Sequence, residues 1–238
     1  MRRFGQASGP GRRPDNLLTS PEVGFTVGVR REVKGTSVGK FRAFVVAAAV
    51  VALTSCLPFD NLVPNARTNA GCSSATHTSP GSPCLTDNAH VSYHFQSSMT
   101  QAAQWSTLEA IVGSFDTTAL NFSYHQYPTY SASPRTDIIY QMGSATRPEV
   151  IAQTWCRAAA GGYKCDQQGV RYFYGVGAVD RKVACHETGH AVGLMHGSMA
   201  DPKVADMHSE LKCMRTGISH NMEYLGEVNA TQINAQYG

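Results

Sequence analysis

The sequence contains no long hydrophobic segment. Its longest uninterrupted apolar run, Ala43–Leu53, has 11 residues, whereas a helix that spans a membrane needs about 20. The length of this run excludes a membrane-spanning helix. Because Lys40 and Arg42 precede it, the run is typical of a secretory signal with positive charge on its cytoplasmic side. We therefore expect residues 1–56 to be a leader segment.

The sequence is also poor in charge, and its excess of positive charge is confined to this leader. Only 16% of the 238 residues are charged. Residues 1–56 hold nine of the 20 Lys and Arg residues but three of the 17 Asp and Glu residues, so the rest of the chain carries 11 basic and 14 acidic side chains. Such a region lacks the basic surface of a nucleic-acid-binding protein, and no Gly-rich phosphate loop precedes a helix. We expect no nucleic acid partner.

The leader ends at a cysteine for which two alternatives stay open. Leu53–Cys56 reads LTSC, which resembles the lipobox of bacterial lipoproteins, and a lipidated Cys56 would anchor the chain to a membrane surface. In the other alternative the signal is cleaved farther along, for example after Ala70, and the protein diffuses freely. Both alternatives predict an exported protein, either secreted or at the cell surface, whose membrane contact is at most a lipid anchor.

The cysteine count supports export. Seven cysteines are present, and setting Cys56 aside leaves an even set of six. In an exported chain an even set indicates a disulfide framework, and six cysteines allow fifteen pairings in principle. The pairs that we expect are Cys72–Cys84, Cys156–Cys165 and Cys185–Cys213. The first two close short loops of turn-forming composition at modest entropic cost, and the third remains by elimination.

The chain after the leader divides into a loop region and a folded domain. Residues 57–89 are rich in Pro, Asn, Ser, Thr and Gly and show no period, so we expect a linker and a disulfide-closed loop there. Residues 90–238 alternate between strand and helix patterns and show no internal repeat. We interpret them as one domain and expect a monomer.

Strand and helix patterns predict the class of this domain. The predicted strands are His90–Phe95, Leu120–Tyr127, Thr136–Gly143 and the β-rich segments at 149–156 and 170–176. The predicted helices are Thr100–Phe115, with Trp105 and Val112 in its apolar stripe, a central helix with Asp180 as N-cap, and a last one near Ala230–Tyr237. This order predicts an α+β or mixed α/β domain.

The segment His186–Gly197 reads HETGHAVGLMHG and begins within the predicted central helix. In an α-helix, residues four apart lie one turn above each other on the same face. His186 and His190 therefore project two imidazole rings toward one point, as a zinc ion with Zn–N bonds of about 2 Å requires. Glu187 is turned about 100° around the helix from His186. It flanks this point and is placed to take a proton from water.

Gly193 and His196 extend the pair of histidines to three ligands. Gly193 suits a helix end in the left-handed conformation, which other residues resist. Chain reversal at this glycine lets His196 return as the third ligand. Three neutral histidines leave the fourth zinc position open, which is the arrangement of catalytic rather than structural zinc sites.

The extended pattern His-Glu-x-x-His-x-x-Gly-x-x-His, present here as HETGHAVGLMH, resembles the zinc signature of the metzincin metallopeptidases. The resemblance implies a zincin domain over residues 90–238, with a twisted mixed sheet, an active-site helix and a C-terminal helix. It also implies Zn²⁺ as the cofactor and a protein or peptide as the substrate. Glu187 is then the general base of an exported zinc endopeptidase.

Metzincins also place a methionine turn beneath the metal, and two methionines follow the motif. We favour Met214, because Gly217 suits a tight turn and a bond from Cys213 to the residue before the first ligand would clamp that turn under the helix. Met222 is the alternative. Its Met-x-Tyr would resemble the astacin and serralysin type, in which the tyrosine, here Tyr224, also reaches the metal.

The chain departs from the patterns of two subfamilies. The 17 residues between His196 and Met214 are more than in matrixins. The small size and predicted export resemble small secreted actinobacterial metallopeptidases, but those of the snapalysin type carry Asp where this chain has His196. The alternative functions are a zinc-binding pseudoenzyme and a cell-surface lipoprotein that acts as a binding module. Glu187 argues against the pseudoenzyme, because binding alone does not need this carboxylate, and the open fourth zinc position argues against a lipoprotein whose zinc is only structural.

Overall fold

The computed structural model describes residues 59–67, 71–145, 147–176, 178–217 and 222–238. The predicted leader with its apolar run and Cys56, and the alternative cleavage position after Ala70, lie outside these residues. Within the described residues, no helix has both the length and the apolar character needed to cross a membrane.

Among these described residues, six strands form one mixed β-sheet. They are β1 Leu85–Thr86, β2 His90–Phe95, β3 Asn121–Tyr124, β4 Ile138–Gly143, β5 Ala152–Gly161 and β6 Lys164–Phe173. Strands β3, β2, β4 and β6 lie side by side in this order and run parallel, and the short β1 pairs in parallel with the start of β6. Strand β5 pairs antiparallel with β6 at the edge of the sheet. The predicted mixed α/β class is therefore confirmed.

The hairpin of β5 and β6 is longer than the sequence predicts. The predicted segments 149–156 and 170–176 cover only the two open ends of this hairpin. Each of its strands has ten residues, and the chain reverses at Gly161 and Gly162. Both glycines have positive φ, a conformation that favours glycine in a tight turn. The inner half of β5 is not predictable from the sequence pattern, because the end of this strand is exposed and made of small residues, without the alternation that marks a half-buried strand.

In the part of the chain that the structure describes, three α-helices accompany the sheet. They are α1 Gln101–Ala110, which continues as a π-helical segment Ile111–Phe115, α2 Arg181–Ala191 and α3 Glu227–Tyr237, with 3-10 segments at Gly197–Met199 and Ser209–Met214. Helix α2 begins where the sequence predicts. The Asp180 side chain accepts a hydrogen bond from the Val183 N–H at 2.8 Å and so caps the helix that carries the histidines.

The buried face of α1 and the segment after it agrees with the predicted one only in part: Ala103, Ile111 and Phe115 are buried as expected. Trp105 and Val112 are 59% and 64% exposed, although the apolar period assigns both to the core. Thr107 lies on the buried face instead, where its hydroxyl donates to the Ala103 carbonyl at 2.8 Å and lies 3.1 Å from the Tyr172 hydroxyl. A buried hydroxyl with two partners is stable in a core, and a search for apolar periodicity does not detect it.

The segment 59–67 packs into the folded domain, although the sequence predicts a linker there. The Asn61 amide donates to the Met195 carbonyl at 2.7 Å. The Gln232 side chain accepts from the Asn61 N–H at 3.1 Å and donates to the Phe59 carbonyl at 2.9 Å. The segment shows no period because its backbone is irregular. Its apolar side chains are nonetheless buried in the core shared with the sheet and helices: Phe59, Leu62, Val63 and Ala66.

Three disulfides are present, and they are the pairs that the sequence analysis names: Cys72–Cys84, Cys156–Cys165 and Cys185–Cys213. The first two lie together in one buried cluster. The third joins α2 to the 3-10 segment that ends at Met214. It therefore fixes this segment against the helix that carries two of the histidines.

Removal of the third disulfide should destabilise the domain. We expect Cys185→Ala combined with Cys213→Ala to lower the free energy of unfolding by about 2–5 kcal/mol, as is typical of native disulfides in secreted domains. Urea unfolding followed by circular dichroism measures the loss. Non-reducing peptide mapping of the native protein is the accompanying check, and a free thiol at either position would contradict the pairing.

Candidate metal centre

The end of α2 brings the third histidine back to the first two. The chain turns at Gly193, whose φ of 103° lies in the left-handed region. The Leu194 N–H donates to the Gly189 carbonyl at 2.9 Å and closes the turn. A side chain at Gly193 would also meet Leu85 at 2.8 Å, so backbone and packing both require glycine. This reversal returns His196 toward the helix.

Three imidazole rings converge beside the turn. The Nε2 atoms of His186, His190 and His196 lie 3.1 Å apart in each of the three pairs. The His186 Nδ1–H donates to the Cys213 carbonyl at 2.8 Å. The His190 Nδ1–H donates to the Leu194 carbonyl at 2.7 Å. Because a carbonyl only accepts, each of these two rings has its proton on Nδ1 and presents an unprotonated Nε2.

This donor set fits a zinc ion. Tetrahedral ligands about 2 Å from zinc lie about 3.3 Å from one another, close to the observed separation. Burial lowers the pKa of His186 to about 3, lowers that of His190 well below its usual range and also lowers that of His196. All three rings are therefore neutral at pH 7, as metal ligands must be. Their converging lone pairs repel one another unless a cation lies between them.

Glu187 and Thr154 form a second pair of functional groups beside the histidines. The Thr154 hydroxyl, on β5, donates to Oε2 of Glu187 at 2.7 Å and lies 3.0 Å from the Glu187 carbonyl oxygen. Burial raises the pKa of Glu187 to about 7, and the Thr154 hydrogen bond and the charge of Lys182 act in the opposite direction. The sequence analysis does not identify Thr154, because it lies 33 residues from Glu187 and belongs to no motif.

Met214 packs beneath α2. Its side chain is fully buried, and a Cβ placed on Gly189 would lie only 2.3 Å from the Met214 sulfur. Gly189 lies between Glu187 and His190 in the motif, so the close approach of this sulfur requires a residue without a side chain. The neighbouring Cys213 both bonds α2 through its disulfide and orients a histidine through its carbonyl.

The structure does not bring the alternative methionine-turn tyrosine into the site. Tyr224 is 53% exposed, and the Arg181 guanidinium lies over its ring, 4.2 Å from the ring centre. Its backbone carbonyl accepts from the Cys213 N–H at 3.0 Å. Tyr224 therefore stabilises the 3-10 segment and contacts Arg181, at the start of α2. Met222, two residues before it, is partly exposed.

Two cavities flank the histidines. One, of about 400 Å³, is bounded by the loop Pro80–Pro83. The other, of about 470 Å³, is bounded by residues 149–151 and by Thr216–Gly217. Both are also lined by α2 and by Ala152 of β5. The arrangement leaves space for an extended chain along β5, with the histidines and Glu187 between the two cavities.

The sequence matches no protein-family model and no curated protein. Among solved structures, the chain is similar to high choriolytic enzyme 1, a hatching enzyme zinc-protease from the medaka fish Oryzias latipes, with 17% identity and a TM-score of 0.32 over 54% of this chain and 56% of that one. It is also similar to myroilysin, with 12% identity and a TM-score of 0.34 over 56% of this chain and 53% of that one. The chain spans about half the length of both structures, and likenesses of this size do not assign its function.

The three histidines should each be required for zinc binding. We expect one zinc ion per purified chain, and severe loss of it in His186→Ala, His190→Ala or His196→Ala, because each substitution removes one of three protein ligands. Metal analysis by mass spectrometry after dialysis gives the occupancy. The matched control is His125→Ala, which alters an exposed histidine. Normal occupancy after any one of the three substitutions would remove that residue from the ligand set.

Proposed function

We propose that this protein is an exported zinc endopeptidase of the metzincin type. The observation that carries the proposal is the convergence of three neutral imidazoles at the end of one helix, with a buried carboxylate directly beside them and a sheet edge above them. Such a site has three protein ligands, room for a substrate and a base that is not itself a ligand. These are the parts that metal-assisted peptide hydrolysis requires.

The residues of the site divide the chemistry among them. A zinc ion held by the three histidines supplies Lewis acidity, which polarises a carbonyl and lowers the pKa of water toward 7. Glu187 takes a proton from the water while the water oxygen adds to the scissile carbonyl carbon. Glu187 then delivers this proton to the amide nitrogen as the C–N bond breaks, which leaves a carboxylic acid and an amine. Thr154 orients the Glu187 carboxylate and is therefore a positioning residue.

We assign the methionine turn to Met214. Its burial beneath Gly189 supports this assignment, as does the disulfide from the adjacent Cys213 to α2. The turn supports the site from below, because the Cys213 carbonyl fixes the His186 ring. A change at Met214 therefore acts on the metal site through the orientation of a ligand.

We further propose that the mature protein is exported and begins before Phe59. Three disulfides are typical of proteins that fold in an oxidising compartment. Cleavage after Ala70 would remove the segment 59–67, and with it four apolar side chains that are buried in the core. Exposure of the cavity left by several such side chains costs several kcal/mol. A start at Cys56, lipidated or not, keeps this segment in the protein.

The alternative functions, a zinc-binding pseudoenzyme and a lipoprotein binding module, explain less of the site. Both use the histidines, but neither uses Glu187. A carboxylate in a buried site costs free energy unless it is hydrogen-bonded, and here the hydroxyl of Thr154 provides that bond. The presence of this pair favours a peptidase.

The proposed function is tested by Glu187→Gln. We expect the variant to keep its fold and its zinc but to lose about 10²–10⁴-fold in kcat on a casein or peptide library, because general-base assistance is worth about that much. Melting temperature and metal content are measured on the same samples. Unchanged turnover would exclude the mechanism, and an inactive wild type with normal zinc content would favour the pseudoenzyme.

The positioning role of Thr154 is tested by a pair of substitutions. We expect Thr154→Val, which has nearly the same shape, to lower kcat by about tenfold to a hundredfold with little change in KM, because a hydrogen bond to a charged group is worth about 1.5–3 kcal/mol. Thr154→Ser keeps the hydroxyl and should restore most of the activity. Equal activity of the Val and Ser variants would show that the hydroxyl has no part in catalysis.

A further inference from the structure

The outer edge of β5 has a defined set of free backbone groups. In an antiparallel pair, successive residues point their N–H and C=O groups alternately toward the partner strand and away from it. The Cys156 carbonyl points away from β6, since it accepts from the Ala75 N–H at 2.7 Å. The register with β6 is regular from Ala152 to Cys156, so Ala152 and Thr154 also point their backbone groups outward.

Part of this edge is already paired with the chain itself. The segment 72–75 lies along the second half of β5, where the Cys72 N–H donates to the Gly162 carbonyl at 2.6 Å and the Ala75 N–H bonds Cys156. The Ser74 hydroxyl also accepts from the Ala159 N–H at 3.0 Å. The outer edge of β5 is therefore occupied from Cys156 onward.

The part of the edge that stays open lies beside the reacting groups. Among the described residues, none forms a backbone hydrogen bond to the outer side of Ala152 or Thr154. Thr154 is the residue whose hydroxyl bonds Glu187, so it marks the position of the catalytic carboxylate along the strand. The free edge ends at Cys156, where Ala75 is already paired. This position lies two residues, or about 7 Å along the strand, from Thr154.

The segment 72–75 continues into a wall of the cleft. After Ala75 the chain forms a turn at Thr76–Ser79 and then the loop Pro80–Pro83, which bounds the cavity on one side of the histidines. The disulfide Cys72–Cys84 closes this whole stretch and lies against the disulfide of the β5–β6 hairpin. Each bridge closes its own element, and the two bridges pack together, so the wall is held against β5 by this contact and by the backbone hydrogen bonds of Cys72 and Ala75.

We propose that the segment 72–84 acts as a built-in strand and wall that limits peptide recognition to about two residues on one side of the scissile bond, the side toward Cys156. An extended substrate adds to the free edge at Ala152 and Thr154 by strand pairing. On the side toward Cys156 its third residue meets a position that Ala75 already fills. The substrates are therefore chains that are cleaved within about two residues of one end, or that bend sharply there. This inference rests on the proposed peptidase function for the position of the scissile bond.

The test measures affinity against peptide length, with Glu187→Gln used so that peptides stay intact. A peptide cleaved at one bond by the wild type, or else the tightest binder from the same library, is extended by one to five residues on each side. We expect the Kd to fall by about threefold to tenfold per residue for the first two residues on one side, and to stop falling at the third. A Kd that keeps falling at the third and fourth residues on both sides would overturn the inference.

Two variants in the Glu187→Gln background show whether the segment 72–84 sets this limit. Ala75→Pro removes the N–H that bonds Cys156, and Ala75→Ser is the matched control that keeps it. Cys72→Ser with Cys84→Ser removes the disulfide that closes the same segment, while the backbone N–H groups that bond β5 are kept. We expect Ala75→Pro and the double variant to gain at least threefold in affinity for the longer peptides, with zinc content and melting temperature recorded for each protein. A limit that stays at two residues in both variants would also overturn the inference.

The two proposals fail separately. Loss of the peptidase function appears as a zinc-loaded wild type that hydrolyses none of these peptides. In that case the affinity series still gives the length limit, because binding to the edge does not depend on turnover. Hydrolysis by the wild type, together with a Kd that keeps falling as the peptide is lengthened on both sides, would contradict only the inference about the segment 72–84.

Discussion

The rest of the site depends on one constraint: three imidazole Nε2 atoms must stay 3.1 Å from one another, although their converging lone pairs repel one another. Two backbone carbonyls provide the orientation, that of Cys213 for His186 and that of Leu194 for His190. The first lies on a segment that a disulfide bonds to α2, and the second lies in the turn at Gly193. The disulfide and the glycine turn are therefore parts of the metal site, because each fixes the carbonyl that orients a ring.

Strand β5 connects this metal site to the proposed substrate. Its Thr154 side chain points toward α2 and bonds Glu187, while the backbone of the same residue points outward along the free edge. One residue therefore relates the position of the proposed base to the position of the proposed substrate. The pairing of Ala75 with Cys156 occupies the next outward-facing position. As a result, the segment 72–84 both bounds the cavity beside the histidines and sets where the free edge of β5 ends.

The irregular segment 59–67 has a comparable role for the third histidine. Asn61 bonds the carbonyl of Met195, which directly precedes His196, and Gln232 of α3 bonds Asn61 in turn. Helix α3 and the segment 59–67 thus support the loop that carries the third histidine. This support explains why residues without a periodic pattern are buried in the core.

The sequence by itself determined the features that local geometry controls. The four-residue spacing of His186 and His190 needs only a helix, and the left-handed turn needs only the glycine at position 193, so the triad was predictable from one short motif. The short disulfide loops were predictable for the same reason. Hydrophobic period alone placed Ala103, Ile111 and Phe115 correctly in the core. It assigned Trp105 and Val112 wrongly and missed Thr107, whose buried hydroxyl lies against Tyr172 of a distant strand.

Only the tertiary structure decided which distant residues complete the site. Thr154 reaches Glu187 because β5 packs against α2, and the segment 59–67 is a part of the core because Gln232 of the last helix bonds it. The occupied edge of β5 likewise arises from pairing of the segment 72–75 with residues of β5 that are distant in the sequence, such as Ala75 with Cys156. Each of these contacts is made by polar or backbone groups whose partners have no fixed spacing in the chain. Periodicity and motifs report neighbours along one element, whereas these contacts form only when separate elements pack together.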